Sequence, residues 1–471
     1  MRLGALLGND LVSEVTGFAI DHRKVAPGTI FGAFAGSRFN GEDFIPAAVA
    51  SGAVAIVARP EASVAGAFHV ANDNPRKAFA HLAARYFAPF PDVVVAVTGT
   101  NGKTSIVELA RQLWRMSGLS AASIGTLGIT TADDQVVTGL TTPDVATFLS
   151  NLAGLEREGV SHVAFEASSH GLDQYRIEGI KVAAAAFTNL SRDHLDYHGT
   201  MEAYFAAKMR LFSDLVVAGG TAVIWADDPW SAKAITAAEK AGLTVMTVGV
   251  AGTGLKLLER RIGHLGQDLI VEAGGETYKI ALPLIGAYQV ANALTAAGLV
   301  IASGGDVAQT LTGLSRVQGV RGRLERAVIT KAGAPVYVDY AHTPDALEAA
   351  IAALRPHAKG RIVCVFGAGG DRDAGKRPEM GSVVARDADV AIVTDDNPRS
   401  EDAGLIRRAI LDAAPDATDI GDRRAAIAAA IDLAGPDDIV LIAGKGHETG
   451  QEVNGLKLPF NDVEVARECA A

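Results

Sequence analysis

Residues 95 to 105 read VAVTGTNGKTS, a set of side chains suited to holding the phosphates of a nucleotide. Gly99 and Gly102 let backbone N–H groups approach phosphate oxygens, Lys103 supplies a compensating charge, and the Thr104 hydroxyl is a ligand type for Mg²⁺. Thr100, Asn101 and Ser105 complete the loop. The usual spacing G-x-x-x-x-G-K-[ST] would place a glycine where Val97 stands, so the loop is a shortened variant. A plain glycine turn is the alternative. It is disfavoured because a β-branched run, the glycines, Lys-Thr and apolar residues at helical spacing (106, 109, 110, 113, 114) coincide. The loop implies nucleotide phosphate and no particular reaction.

Other chemistry-bearing residues gather at the ends of strand-like runs. PVYVDYAH, RIVCVFGAGG, DVAIVTDDNPR and DIVLIAGKGHE each run from apolar to polar or glycine-rich residues: Asp339 and His342, Gly367 to Asp373, Asp395 to Arg399, and Gly444 to Glu448. One such ending is a turn. In open α/β sheets, however, ligands collect beyond the carboxyl ends of the strands, so four endings together point to one composite site. Glu166 closes the run HVAFE and His194 follows AAAAFTNL, which puts both on the edge that carries Thr104. A carboxylate beside a threonine hydroxyl suits Mg²⁺. By spacing alone, His194 is a structural histidine and Lys208, in AYFAAKMRLF, an ordinary surface lysine of a helix.

The elements that must position these residues follow from composition and pattern. At 471 residues the chain is too long for one core, and two to four domains are expected. A formal net charge of −11 argues against non-specific nucleic-acid binding. Two cysteines give neither a disulfide framework nor a zinc site and fit the cytoplasm. The start, MRLGALLGND, lacks a full signal-peptide core. The uncharged segment 283 to 305 contains Gln289, Asn292 and several small residues, and reads as a loop entering a buried helix, with no membrane span. Three regimes follow: residues 1–90, with short strands, glycine turns and the helix PRKAFAHLAARYF; residues 91–319, where strands alternate with helices; and residues 320–471, where the pattern restarts. The fold class expected is α/β in three domains. A small amino-terminal α/β domain precedes a central P-loop-type, mostly parallel sheet with helices on both faces, and a doubly wound, Rossmann-like domain ends the chain.

Joined in order, TGTNGKT, LTTPD, FEASSHGLDQYR, TNLSRDHLDYHG, AAKMRLF, GVRGRLE, VDYAHTPD, GAGGDRDAGKRP, DDNPR and AGKGHE resemble the Mur ligase family almost end to end. Its members are ATP-dependent enzymes that add amino acids to the peptidoglycan precursor. The likeness is greatest to the branch that adds meso-2,6-diaminopimelate to a UDP-linked muramoyl dipeptide. The resemblance implies ATP and Mg²⁺ as cofactors, with Thr104, Glu166, His194 and Lys208 at the metals, Lys208 as a carbamate formed with CO₂. It implies Lys103 and Arg323 at the transferring phosphate, Asn292 near the adenine, and Asp339 as part of the ATP site. Thr141, Thr142, Ser168, Gln174 and Arg176 would hold the muramoyl dipeptide, although TTPD reads equally well as a helix N-cap. The uridine diphosphate would meet Ile20, His22, Ser37, Arg38 and Phe39, where His22 and Asn40 depart from the family's usual serine and aspartate. The uridine domain is then 1–90, the ATP domain 91–319 and the amino-acid domain 320–471, in a cytoplasmic monomer.

DDNPR bears on the amino acid. Diaminopimelate keeps a free carboxylate and ammonium after reaction, and the Arg399 guanidinium matches that distal carboxylate while lysine has none to offer. Asp396, Asn397, Pro398, Gly444 and Glu448 would frame the distal end, and Arg372 would hold the carboxylate nearer the reacting amine. An Arg399 left buried and unpaired by lysine would discriminate strongly. The alternatives are an L-lysine-adding ligase of the same family, a folylpolyglutamate synthase-like ligase, a P-loop kinase or hydrolase, and a non-enzymatic scaffold.

Overall fold

A computed structural model describes residues 1–36, 39–132, 135–136, 141–263 and 266–471. Among the described residues three large sheets carry the chain, with a fourth, two-stranded hairpin of Gly450–Val453 and Leu456–Pro459 near its end. A four-stranded, all-parallel sheet is formed by Gly17–Ala19, Thr29–Gly32, Ala55–Ala58 and Phe68–Ala71. The helix Pro75–Phe87 follows, capped by the Asn74 side chain on Lys77 N–H and started by a proline whose missing N–H costs nothing there. Its buried residues Phe79, Ala80, Leu82, Ala83 and Ala84 join Val94, Phe165 and Phe187 of the second sheet in one apolar cluster, so the first two units share a core.

The second sheet has eleven strands. At its centre Val93–Thr98 lies parallel between Val182–Phe187 and His162–Glu166. Register pairs Thr98 with Phe187 and Val97 with Glu166, so the residues following these strands open onto one edge. Antiparallel strands extend it on both sides: Gln267–Ala273 and Glu276–Leu282 at one edge, Gly128–Thr130 at the other. One face is covered by the helices Lys103–Met116 and Ala287–Ala302. The latter is the uncharged segment, and its Val290, Ala293, Leu294, Ala296, Ala297 and Leu299 are buried. Small side chains let it lie close on the sheet, and a Cβ at Gly298 would press on Val223. Among the described residues no helix is long and apolar enough to cross a membrane.

The third sheet has six strands. Pro335–Asp339, Ile439–Ala443, Ile362–Phe366 and Val390–Val393 run parallel in that spatial order, with apolar clusters on both faces, the arrangement of a doubly wound domain. These are the four runs whose polar endings stand out in the sequence. The α/β class and the parallel cores are as expected; the antiparallel additions Gln267–Ala273 and Glu276–Leu282 bury mainly alternate residues and carry no continuous apolar run, so their signal is weaker.

Candidate active site between the central and C-terminal units

The strand Val93–Thr98 delivers Gly99 to Gly102 onto the start of the helix Lys103–Met116. Gly99 (φ 143°) and Gly102 (φ 92°) hold backbone angles that side-chain-bearing residues rarely adopt. A Cβ at Gly99 would collide with Thr188 Oγ1, and one at Gly102 with Asn292 Oδ1. The loop is pinned from beside: Thr188 Oγ1 donates to the Asn101 carbonyl (2.7 Å), and Asn101 N–H donates to Asn189 Oδ1 (2.9 Å). Thr100 and Asn189, with Lys103, Thr104, Ser105 and Asn292, line a cavity of about 840 Å³.

Two lysines converge inside this loop. Lys103 Nζ donates to the carbonyls of Gly99 (2.9 Å) and Thr100 (2.7 Å), and Lys208 Nζ donates to the same Gly99 carbonyl (2.7 Å). Lys208 is therefore no surface lysine. It is 1% exposed, because the helix Met201–Arg210 turns that face inward and sets the ammonium 4.3 Å from the centre of the Tyr204 ring. Burial lowers the pKa of both amines, and the Lys103 charge drives Lys208 further down, well below the usual lysine value. Asp193 is buried close by. Burial alone would raise its pKa, but His194, His342, Lys376 and Lys103 hold it at about 2. His194 occupies the left-handed region (φ 53°), its N–H donating to Asp193 Oδ1 (3.0 Å), and burial pushes its imidazole down to about 3.

Glu166 ends its strand with one oxygen accepting from Thr126 N–H (2.7 Å) and the other from Thr126 Oγ1 (3.1 Å). Gly125 leaves room for it, since a Cβ there would overlap the carboxylate. Thr104, Glu166, His194 and Lys208 all line the large cavity. Among the described residues no cluster of three or more His, Cys, Asp or Glu forms a preassembled metal cage.

The C-terminal unit closes the cavity. Arg323 donates to Thr104 Oγ1 (3.0 Å) and lies over the Tyr340 ring (4.5 Å). Asp339 accepts from the N–H groups of Leu324 (2.6 Å) and Ala341 (2.8 Å), fixing the segment that carries Arg323. Burial raises the Asp339 pKa to about 6, with Arg323 opposing. Arg192 of the central unit bridges Asp373 and Glu379 (3.2 Å each).

The composite amino-acid site is more divided than the strand endings imply. Of its seven residues only Arg372 lines the large cavity. Asn397 and Glu448 are instead bound to each other (Asn397 Nδ2 to Glu448 Oε2, 2.8 Å), and the buried Lys445 donates to both, at 3.0 and 2.8 Å. Asp396 has one buried carboxylate oxygen with no hydrogen-bond partner, and the absent Cβ of Gly444 leaves it space. Arg399, following Pro398, is not the unpaired buried guanidinium that the discrimination argument assumes. It donates to the Gly370 carbonyl (2.7 Å) and pairs with Glu452 (3.3 Å), its side chain 23% exposed. A bare buried guanidinium costs several kcal/mol, so partners from the neighbouring loop and hairpin satisfy it.

The dipeptide candidates lie along the other side. Thr141 meets Thr126 Oγ1 (3.1 Å) and, with Ser168, lines the cavity. Thr142 is turned inward to the Glu166 carbonyl (2.9 Å), and Asp144 caps the following helix, so TTPD does serve as a helix start. Gln174 and Arg176 are hydrogen-bonded to each other (2.7 Å) outside the cavity lining. Ile20, His22 and Phe39 also lie outside it; His22 stacks on Phe44 at 4.4 Å, and Ser37 and Arg38 fall outside the described residues. Sequence reasoning passed over Asp193, Tyr204, Lys376 and Lys445, although the first adjoins His194 and the last lies within GKGHE. It also missed Arg76, whose pKa burial lowers and whose charge, after burial, depresses Arg176.

Three family models match the chain: the Mur ligase family catalytic domain over residues 14–87, the Mur ligase middle domain over 97–300, and the Mur ligase glutamate ligase domain over 322–446. A UDP-N-acetylmuramoyl-L-alanyl-D-glutamate--2,6-diaminopimelate ligase of Zymomonas mobilis is 59% identical over 458 residues, covering 96% of this chain and 94% of that protein. The enzyme of the same name from Bradyrhizobium diazoefficiens is 52% identical over 482 residues, covering 100% and 99%. A solved structure of a ligase of that name superposes with a TM-score of 0.72 at 32% identity, covering 100% of this chain and 98% of that one. With three matching domain models in order and full-length relatives above half identity, the chain belongs to the Mur ligase family.

Proposed function

We propose that this protein joins meso-2,6-diaminopimelate to the D-glutamyl carboxylate of UDP-N-acetylmuramoyl-L-alanyl-D-glutamate with hydrolysis of ATP to ADP and phosphate. The observation that carries the reading is the full-length identity to ligases of that name. The cavity supports it, since it brings a phosphate loop, buried cations and a carboxylate into one space.

The glutamyl carboxylate attacks the γ-phosphorus of ATP, the bond to ADP breaks, and an acyl phosphate forms. The amine of diaminopimelate attacks the acyl carbon, phosphate leaves with the bonding pair, and the amine loses a proton. Lys103 and Arg323 both line the cavity and would turn their charge to the phosphoryl oxygens, and this electrostatic stabilisation is the main contribution expected of this chain. Thr104, Glu166 and His194 would hold Mg²⁺, which supplies charge neutralisation when bound. The donor chemistry of Thr104 and Glu166 fits that ion. Lys208 would complete the set as a carbamate. Its depressed pKa favours the neutral amine, which would add to CO₂ and release a proton, giving an anionic oxygen ligand.

In this reading residues 1–90 hold the uridine diphosphate, 91–319 the nucleotide and 320–471 the amino acid, in a monomer working in the cytoplasm. All the proposed groups come from one chain, and the buried Cys364 is a free thiol. Incubating the purified protein with ATP, Mg²⁺ and the dipeptide precursor tests the reaction. Mass spectrometry should find the diaminopimelate adduct and little of the L-lysine adduct. Equal coupling of both amino acids would refute the substrate assignment, and phosphate release without an amino acid would favour a hydrolase.

A further inference from the structure

A second cavity, of about 490 Å³, lies where the last turns of the helix Lys103–Met116 meet the segment that leads into the C-terminal unit. It shares no lining residue with the first. Arg111 follows Lys103 by eight positions, about 12 Å along the helix axis at the usual rise. Four arginines surround this space: Arg111 and Arg115 from the helix, Arg316 and Arg321 from the connecting segment. Among the described residues one carboxylate lines it, Glu108, and that group is already engaged. It accepts from Arg111 NH2 (2.8 Å) and from Ser123 Oγ. Among the described residues, no carboxylate forms an ion pair with Arg115, Arg316 or Arg321. Thr130 Oγ1, also in the lining, is buried with no hydrogen-bond partner.

Arg111 is compensated by Glu108 and also donates to the Thr131 carbonyl (3.1 Å), but the like charges of Arg115, Arg316 and Arg321 around the same space repel one another and have no such counter-charge among the described residues. The two walls are nonetheless held together. Gln112 Nε2 donates to the Gln318 carbonyl (3.3 Å) and Gln112 Oε1 accepts from Gln318 N–H (2.8 Å). We propose that this cavity binds a compact anion carrying two linked phosphoryl groups. Guanidinium forks pair with phosphoryl oxygens in bidentate fashion, and arginines on two facing walls suit two such groups better than one. The bound anion would tie the nucleotide-loop helix to the segment that ends at Arg323.

The diphosphate could be free or part of a nucleotide, and calorimetry separates the two. Wild-type protein is titrated with ADP alone, then with sodium pyrophosphate after ADP saturation. Two equivalents of ADP, or one of ADP followed by one of pyrophosphate, support the site and identify the source. In the Arg115→Ala/Arg316→Ala variant, whose substituted side chains are exposed, the second equivalent should weaken at least tenfold while the first changes less than twofold. In wild type the second event should also weaken as NaCl is raised. A single equivalent in both titrations, or a second event untouched by the double substitution, would overturn the proposal.

Discussion

At the scale of single residues, burial and charge distinguish side chains that spacing leaves ordinary. Lys208 sits on a helix like any surface lysine, yet it is 1% exposed and shares a carbonyl with Lys103. Lys208→Ala should cut ligation by at least a hundredfold, with partial rescue by small carboxylates such as formate. Full activity without rescue would exclude a carbamate there. Nothing in AYFAAKMRLF reveals this burial, because which face of the helix meets the phosphate loop is decided by contacts more than a hundred positions apart, such as Lys208 to Gly99. Arg399 shows the converse: DDNPR marks the residue plainly, but its present partners, Gly370 and Glu452, lie on a loop and a hairpin far along the chain. A substrate carboxylate at Arg399 would replace or join partners already in place, so the gain is smaller than for an unpaired charge. Arg399→Ala should raise the KM for diaminopimelate about ten- to a hundredfold and leave ATP binding within twofold. Equal losses in steady-state kinetics for both substrates would remove Arg399 from the pocket.

At the scale of elements, the parallel strands were legible because each is a short apolar run bounded by glycine or polar residues, and their carboxyl ends fix where a site must lie. The phosphate loop was legible for a further reason: Gly99 and Gly102 take backbone angles that their sequence positions anticipate. Gly99→Ala would require both an unfavourable φ near 143° and displacement of Thr188, whose hydroxyl holds the Asn101 carbonyl. Strain of that kind costs about 1–3 kcal/mol. The variant should melt several degrees lower and bind ADP at least tenfold more weakly by calorimetry. Unchanged ADP affinity would mean that the loop's backbone does not meet the phosphates. What the elements alone do not reveal is the division of the C-terminal site. Asp339 and Arg372 reach the large cavity, whereas Asn397 and Glu448 are bound to each other by side chains from different strand ends.

At the scale of the whole molecule, the site exists only while the C-terminal unit lies against the central one, and a buried histidine at that junction, with another inside the central unit, makes the fold sensitive to acid. His447 follows the strand Ile439–Ala443 and packs on Tyr340 at 5.1 Å. Burial, and then the charges of Arg323 and Arg321, push its pKa down to about 3. His170, beside Tyr197 at 4.2 Å, is lowered by burial to about 4. In the unfolded chain both would titrate at about the usual 6.5. Between those values the unfolded chain binds protons that the folded one refuses, so stability rises with pH through this window. The contribution is fully present above about pH 6.5 and is lost as pH falls through about 4 for His170 and about 3 for His447. Exchanging His447 for glutamine removes one such group without removing bulk. The melting-temperature difference between wild type and His447→Gln should therefore shrink in favour of the variant as pH is lowered from 7 to 4.5, before most carboxylates titrate. A difference that stays constant over that range would mean that His447 is not held neutral at the junction, and that closure of the C-terminal unit over Arg323 and Thr104 does not depend on excluding a proton there.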